Sequence, residues 1–193
     1  NGEWLKGPSM KLFNAIKAEL GDVKLVAEDL GFLTDEVKQM LKDAGYPGMN
    51  VLEFAFYGKQ DNNYLPHNYV RNSVTYIGTH DNDTAMGWYD SLEKADRKFA
   101  KKYMGLHKKE GVCGGLIRTA FASISDLVII QMQDYLELGS EARMNIPSTI
   151  GGGNWAWRLK DGDLSPELSK RIRKYAENFF RIPAAKKVKV KKA

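Results

Sequence analysis

A chain of 193 residues with 43% hydrophobic side chains can bury one core of ordinary size, holds no apolar run of about 18 residues to cross a bilayer, and has a single cysteine, Cys113, which excludes an internal disulfide and a thiolate zinc site. Its net charge of +5 is a property of the last residues: Lys186, Lys187, Lys189, Lys191 and Lys192 stand in "AAKKVKVKKA", and without them basic and acidic residues balance at 24 each. The body is neutral and no aromatic residue interleaves with those lysines, so a nucleic-acid partner is not expected.

The start, "NGEWLKGPSMK", lacks the charged, apolar and small-residue zones of a secretory signal, and a cytoplasmic location is the expectation. Ser9 is placed to cap a first helix with Leu12, Phe13, Ile16 and Leu20 on one face and Gly21 at its end. A short apolar strand over 24–27 then runs out into Glu28 and Asp29 in "VKLVAEDLG". Thr34 caps the second helix, Asp35 and Glu36 suit its positive end, Val37 and Leu41 face inward, and Gly45 with Pro47 stops it.

"MNVLEFAF" reads as the second strand, with Glu53 near its end. A turn-rich loop, "YGKQDNNYLPHNYVRNS", leads to the third, "VTYIG", which ends in four polar residues, His80, Asp81, Asn82 and Asp83. Ser91 is placed to cap a helix carrying Ala95, Phe99 and Tyr103, a second helix is expected over 115–124, and Cys113 is expected to be a buried helix residue. The near-continuous apolar run of "LVIIQMQ" suits a strand buried on both faces. Past "GGGNWAWR", Ser165 and Pro166 open a last helix with Leu168, Ile172, Tyr175 and Phe179.

Helices and strands in this alternation predict an α/β protein of parallel βα units. Four strands, no internal repeat and no linker make residues 1–182 one unit, followed by a Lys-rich tail at 183–193.

In such folds the loops at the carboxyl ends of the strands form the functional face, because the elements below are a rigid base. That rim collects Glu28, Asp29, Glu53, His80, Asp81, Asp83, Gln131, Gln133 and Asp134, with Tyr64, Trp88, Tyr89, Trp155 and Trp157 in adjoining loops. Carboxylates and amides bind hydroxyls while aromatic faces cover the apolar faces of sugar rings, so a carbohydrate site is one reading. A divalent metal on His80, Asp81 and Asp83 is another, and a plain turn or helix cap is the bland reading of "HDND". "GGGNW" is not a phosphate loop, since no Lys-Ser or Lys-Thr follows the glycines.

Taken in order, "AEDLG", "GYPGMNVLEFAF", "YLPHNY", "GTHDNDT", "QMQDYLELGSEARMN" and "GNWAWR" resemble the 4-α-glucanotransferase family, the amylomaltases, from about residue 2 to about residue 181. The resemblance implies a (β/α)8 barrel related to the α-amylases, no cofactor, and transfer of an α-1,4-glucan segment to the 4-hydroxyl of an acceptor with retention. Retention requires a nucleophilic carboxylate and an acid/base carboxyl roughly 5 Å apart across the sugar. Glu28 matches the acid/base, and Asp81 matches the third carboxylate, which favours the oxocarbenium-like sugar. His80, Phe54 and Asn154 would be substrate-binding residues. An α-glucan or maltooligosaccharide is thus the expected partner, with no metal and no membrane.

The family's nucleophile stands in an "RIDH"-like motif that this sequence does not contain. Counting the strands as the fifth to eighth, the chain is expected to be the C-terminal half of the barrel, a fragment without an initiator Met, inactive by itself. Its bare edges call for the missing N-terminal half or for self-association. The alternatives are a non-catalytic glucan-binding or self-associating module, a metal-dependent hydrolase, and a nucleic-acid binder working through the tail.

Overall fold

The computed structural model describes residues 3, 5–31, 33–57 and 62–182. The predicted Lys-rich tail, 183–193, lies outside them, as does 58–61 in the turn-rich loop. The predicted α/β architecture is present: β1 (Gly48–Val51), β2 (Ser73–Tyr76) and β3 (Leu127–Ile129) form a parallel sheet in the order β1-β2-β3. Gly48 pairs with Ser73, and Val74 with Leu127.

The helices are α1 (Met10–Leu20), α2 (Asp35–Ala44), α3 (Ala85–Ser91), α4 (Lys94–Met104), α5 (Gly111–Phe121), α6 (Met132–Tyr135) and α7 (Pro166–Asn178). Leu52, Phe56, Ile77, Trp88, Leu116 and Ile117 make the core between the sheet and α3 to α5, with Cys113 buried in α5 as expected. Phe56 sits at its centre, with ring centroids 5.8 Å from Trp88, 5.9 Å from Phe99 and 5.8 Å from Tyr103, separations typical of offset or edge-on aromatic pairs.

Two predicted helix starts are as read. Thr34 Oγ1 accepts from Val37 N at 3.4 Å, and Ser165 Oγ accepts from Leu168 N at 3.1 Å. Gly45, at φ 73°, closes α2 in the left-handed conformation.

Other expectations are corrected. Residues 23–30 form no strand; Ala27 N donates to Pro47 O at 2.9 Å, and one bond of this kind does not make a ladder. The second strand stops at Val51, after which Leu52–Phe56 coil into a 3-10 turn that buries Leu52, Ala55 and Phe56 together. "LVIIQMQ" likewise divides into β3 and α6, and β3 is not buried on both faces: Val128 packs on the core while Leu127 and Ile129 are exposed. Ser9 makes no capping bond, and Leu12 and Leu20 of α1 are exposed.

Ser91 caps nothing. Thr84 starts α3, accepting from Gly87 N at 3.2 Å, whereas Ser91 ends it by donating to Trp88 O at 2.7 Å. The helix expected over 115–124 begins earlier, at Gly111.

Candidate functional site

The polar tetrad after β2 divides into two working pairs. Asn82 Oδ1 accepts from both the amide and the hydroxyl of Thr79, at 2.9 Å each, closing the turn on itself. Asp83 accepts from Thr84 N and from Ser140 Oγ, each at 2.7 Å, so both its oxygens are committed to structure. The bland turn-and-cap reading therefore holds for Asn82 and Asp83, and Asp83 is withdrawn from the metal set considered with His80 and Asp81.

His80 and Asp81 point outward, their side chains 52% and 47% exposed, with Nε2 and Oδ1 3.3 Å apart. Asn145 Nδ2 donates to the same Oδ1 at 2.7 Å. Arg143 holds the Asp81 carbonyl through Nη2 at 2.7 Å and the Asn145 carbonyl through Nε at 2.8 Å. Asp81 Oδ2 has no hydrogen-bond partner among the described residues. The result is an aimed carboxylate with one oxygen fixed and one open.

The loop carrying Asn154 lies beside His80. Trp155, at φ 60°, donates its amide to Met144 O at 2.7 Å, and its ring lies 4.9 Å from that of His80. Asn154 spends its amide inside the loop: Oδ1 accepts from Ile146 N at 3.0 Å and Nδ2 donates to Thr149 Oγ1 at 2.8 Å.

Glu28 stands apart. Its neighbour Asp29 accepts from Met49 N at 2.6 Å and lies over Gly48, where a Cβ would overlap its carboxyl. Glu28 itself is exposed. Phe54 is half-buried, edge-on to Tyr64 at 5.3 Å, with its carbonyl held by Asn62 at 2.6 Å. Burial and then the Asp29 charge raise the Tyr64 phenol above its ordinary range. No hydrogen bond or ion pair joins Glu28 to Asp81 among the described residues.

Below the outward pair is a buried polar layer. Glu53 is 2% exposed and Asp134 0%. The open rim position expected for Glu53, Gln133 and Asp134 is thus corrected: all three are buried. Burial, with the charges of Asp134 and Asp83 behind it, lifts the Glu53 carboxyl well above the usual range against the pull of Arg143. Burial also pushes Asp134 up to about 6, opposed by its bond from Ala85 N and aided by Asp83.

Arg143 and Asn145 are site residues that sequence reasoning passed over. Their signal was an arginine and an amide in "ARMN", within the irregular run after the last strand.

Fold and site together define an α/β chain whose strand-end rim joins a carboxylate, an imidazole and an indole, groups able to bind hydroxyls and to cover an apolar ring face. Residues 1–165 match the 4-alpha-glucanotransferase family, and the chain belongs to it. It is 49% identical over 173 residues to the 4-alpha-glucanotransferase of Clostridium butyricum, covering 89% of this chain and 35% of that one. With the chloroplastic/amyloplastic 4-alpha-glucanotransferase of Arabidopsis thaliana the identity is 48% over 184 residues, 94% of this chain and 32% of that one. The amylomaltase of Streptococcus agalactiae, solved in complex with acarbose, superposes with a TM-score of 0.88 at 35% identity, covering 93% of this chain and 36% of that one. The chain spans about a third of the length of the curated relatives it matches.

Proposed function

We propose that this chain supplies the acid/base and the transition-state-stabilising carboxylates of a retaining 4-α-glucanotransferase. In this reading β1, β2 and β3 are the sixth to eighth strands of a (β/α)8 barrel, and the segment ending in Glu28 occupies the position of the fifth. The barrel is completed by an N-terminal half or, failing that, by a second copy. The observation that carries the reading is Asp81: Asn145, Arg143 and His80 fix its orientation at the end of a parallel strand, yet Oδ2 stays open.

An oriented carboxylate with a free oxygen can engage ring hydroxyls and positive charge developing at the anomeric carbon without reorganising. Glu28 protonates the departing glycosidic oxygen and then takes the proton of the incoming 4-hydroxyl. A glycosyl-enzyme needs a nucleophile from outside the matched motifs, so the chain alone does not turn over. His80, Phe54 and Asn154 are the proposed glucan contacts, Asn154 acting by shaping the loop that lays Trp155 beside His80. The cytoplasm is the proposed location.

The test is incubation of the purified chain with maltotriose and mass spectrometry of the products. No glucose and no longer maltooligosaccharides are expected until a nucleophile-bearing N-terminal part of a relative is supplied. Products from the chain alone would place a nucleophile within these 193 residues and overturn the division of roles.

A further inference from the structure

Gln131, Gln133 and Asp134 stand at the start of α6, and each spends its side chain on the main chain of another segment. Gln131 Nε2 donates to Gly78 O, just before the tetrad, at 3.2 Å. Asp134 Oδ1 accepts from Ala85 N, just after it, at 2.8 Å. Gln133 Nε2 donates to Ala142 O at 3.2 Å, next to Arg143, whose Nη2 donates to Asp81 O at 2.7 Å.

A buried amide or carboxyl costs free energy that only its hydrogen bonds offset. Gln133 and Asp134 are both buried, and apolar side chains would fill the same space. What the polar ones add is a fixed separation between α6 and the main chain of the turn over 78–85. α6 is itself a firm base, since Met132 and Tyr135 pack in the core and Gln131 O accepts from Asp134 N at 3.1 Å. The turn has little freedom within: Asn82 closes it on Thr79, and a Cβ on Gly78 would sit 3.0 Å from Asn82 Cβ and 2.7 Å from Glu53 Oε1. Its middle is held by Ser140 at Asp83 and by Arg143 at Asp81, from a segment that Gln133 fixes at Ala142. Its two ends are left to Gln131 and Asp134.

We propose that Gln131 and Asp134 are positioning residues: one as donor to Gly78 O, the other as acceptor from Ala85 N, they pin both ends of the turn to α6 and so set where His80 and Asp81 stand on the rim. Side chains whose own geometry is locked by packing hold a site more closely than a loop does alone. The bearing of this brace on glucan chemistry rests on the role assigned to Asp81. The brace is tested without substrate or turnover, so either can fail alone.

The test is magnetic resonance of the full chain, reading the His80 ring and the side-chain amide of Asn145, which donates to Asp81 Oδ1. Gln131→Met keeps the length of the side chain and removes its donor. Asp134→Leu removes the acceptor, and Asp134→Asn restores an oxygen in its place. Both resonances are expected to be displaced in Gln131→Met and Asp134→Leu and to return towards the parent in Asp134→Asn, with the His67 and His107 rings constant throughout. Unmoved His80 and Asn145 in the first two variants, or displacement as large in Asp134→Asn as in Asp134→Leu, overturns the proposal. Equal displacement of all three histidines overturns it too, because the fold would then be giving way as a whole. Should Asp134→Leu not fold, Gln131→Met, a change at a half-buried position, decides alone: displacement of His80 and Asn145 supports the brace and its absence overturns it.

Discussion

Asp81 keeps Oδ2 open because Asn145 and His80 occupy Oδ1 and Arg143 anchors the backbone behind it. In the role proposed for it, this carboxylate acts mostly at the transition state. In the completed enzyme Asp81→Asn is therefore expected to lower kcat by roughly 10²–10³ with a smaller change in KM. Equal kcat in variant and parent would remove Asp81 from the chemistry. Glu28→Gln, which cannot pass a proton, should lose nearly all transfer; retained transfer refutes the acid/base role.

Asp134 carries a pH signature of its own at the same scale. Its carboxyl rises from 3.8 to about 6 on folding, so the folded chain binds this proton more tightly than the unfolded one. The stability it contributes is fully present below about pH 4 and is lost as pH rises through about 6, a change on the order of 2–3 kcal/mol. Urea unfolding of parent and Asp134→Asn across that window should show the parent's advantage falling with pH. A constant difference would mean that the buried carboxyl does not titrate there. The tetrad's chemistry was legible as polar residues ending an apolar strand. Its division into structural and outward pairs was not, because Asp83 is recruited by Ser140, 57 positions along the chain.

At the scale of elements, local signals were readable where the capping side chain lies beside its own helix, as at Thr34 and Ser165. They misled before α4, where Ser91 was the expected cap: that helix starts at Lys94 after Glu93, with no side-chain capping bond, while Ser91 lies at the end of α3, a helix opened by the buried Thr84. Thr84→Ala should cost about 1–2 kcal/mol, the worth of an N-cap with a poorly solvated partner, while Ser91→Ala should cost less than about 0.5 kcal/mol. Denaturant midpoints of the two variants check this, and the reverse order would show that the Ser91 hydroxyl, not that of Thr84, is the one on which helix stability depends. The strands ran long in prediction for a related reason. "VLEFAF" and "LVIIQMQ" are mostly apolar, and a short apolar run does not reveal where pairing gives way to a buried turn.

For the whole molecule, the apolar residues left outside are as informative as those inside. Leu25, Val26, Ile124, Leu127 and Ile129 are exposed around the sheet, and the outer edge of β3 pairs with nothing among the described residues. "LVII" reads as buried on both faces because such residues ordinarily are. The packing supplied by these residues alone covers only the Val128 side. An uncovered apolar face next to a bare parallel edge favours pairing with another chain. Sedimentation velocity should therefore show concentration-dependent self-association of the chain, weakened by Leu127→Lys, a change at an exposed position that leaves the core intact. Supplying an N-terminal barrel half should suppress the same association, because it competes for the same face. A chain that stays monomeric at every concentration, with Leu127→Lys indistinguishable from it, would show that this face needs no cover and would remove the argument for a completing partner.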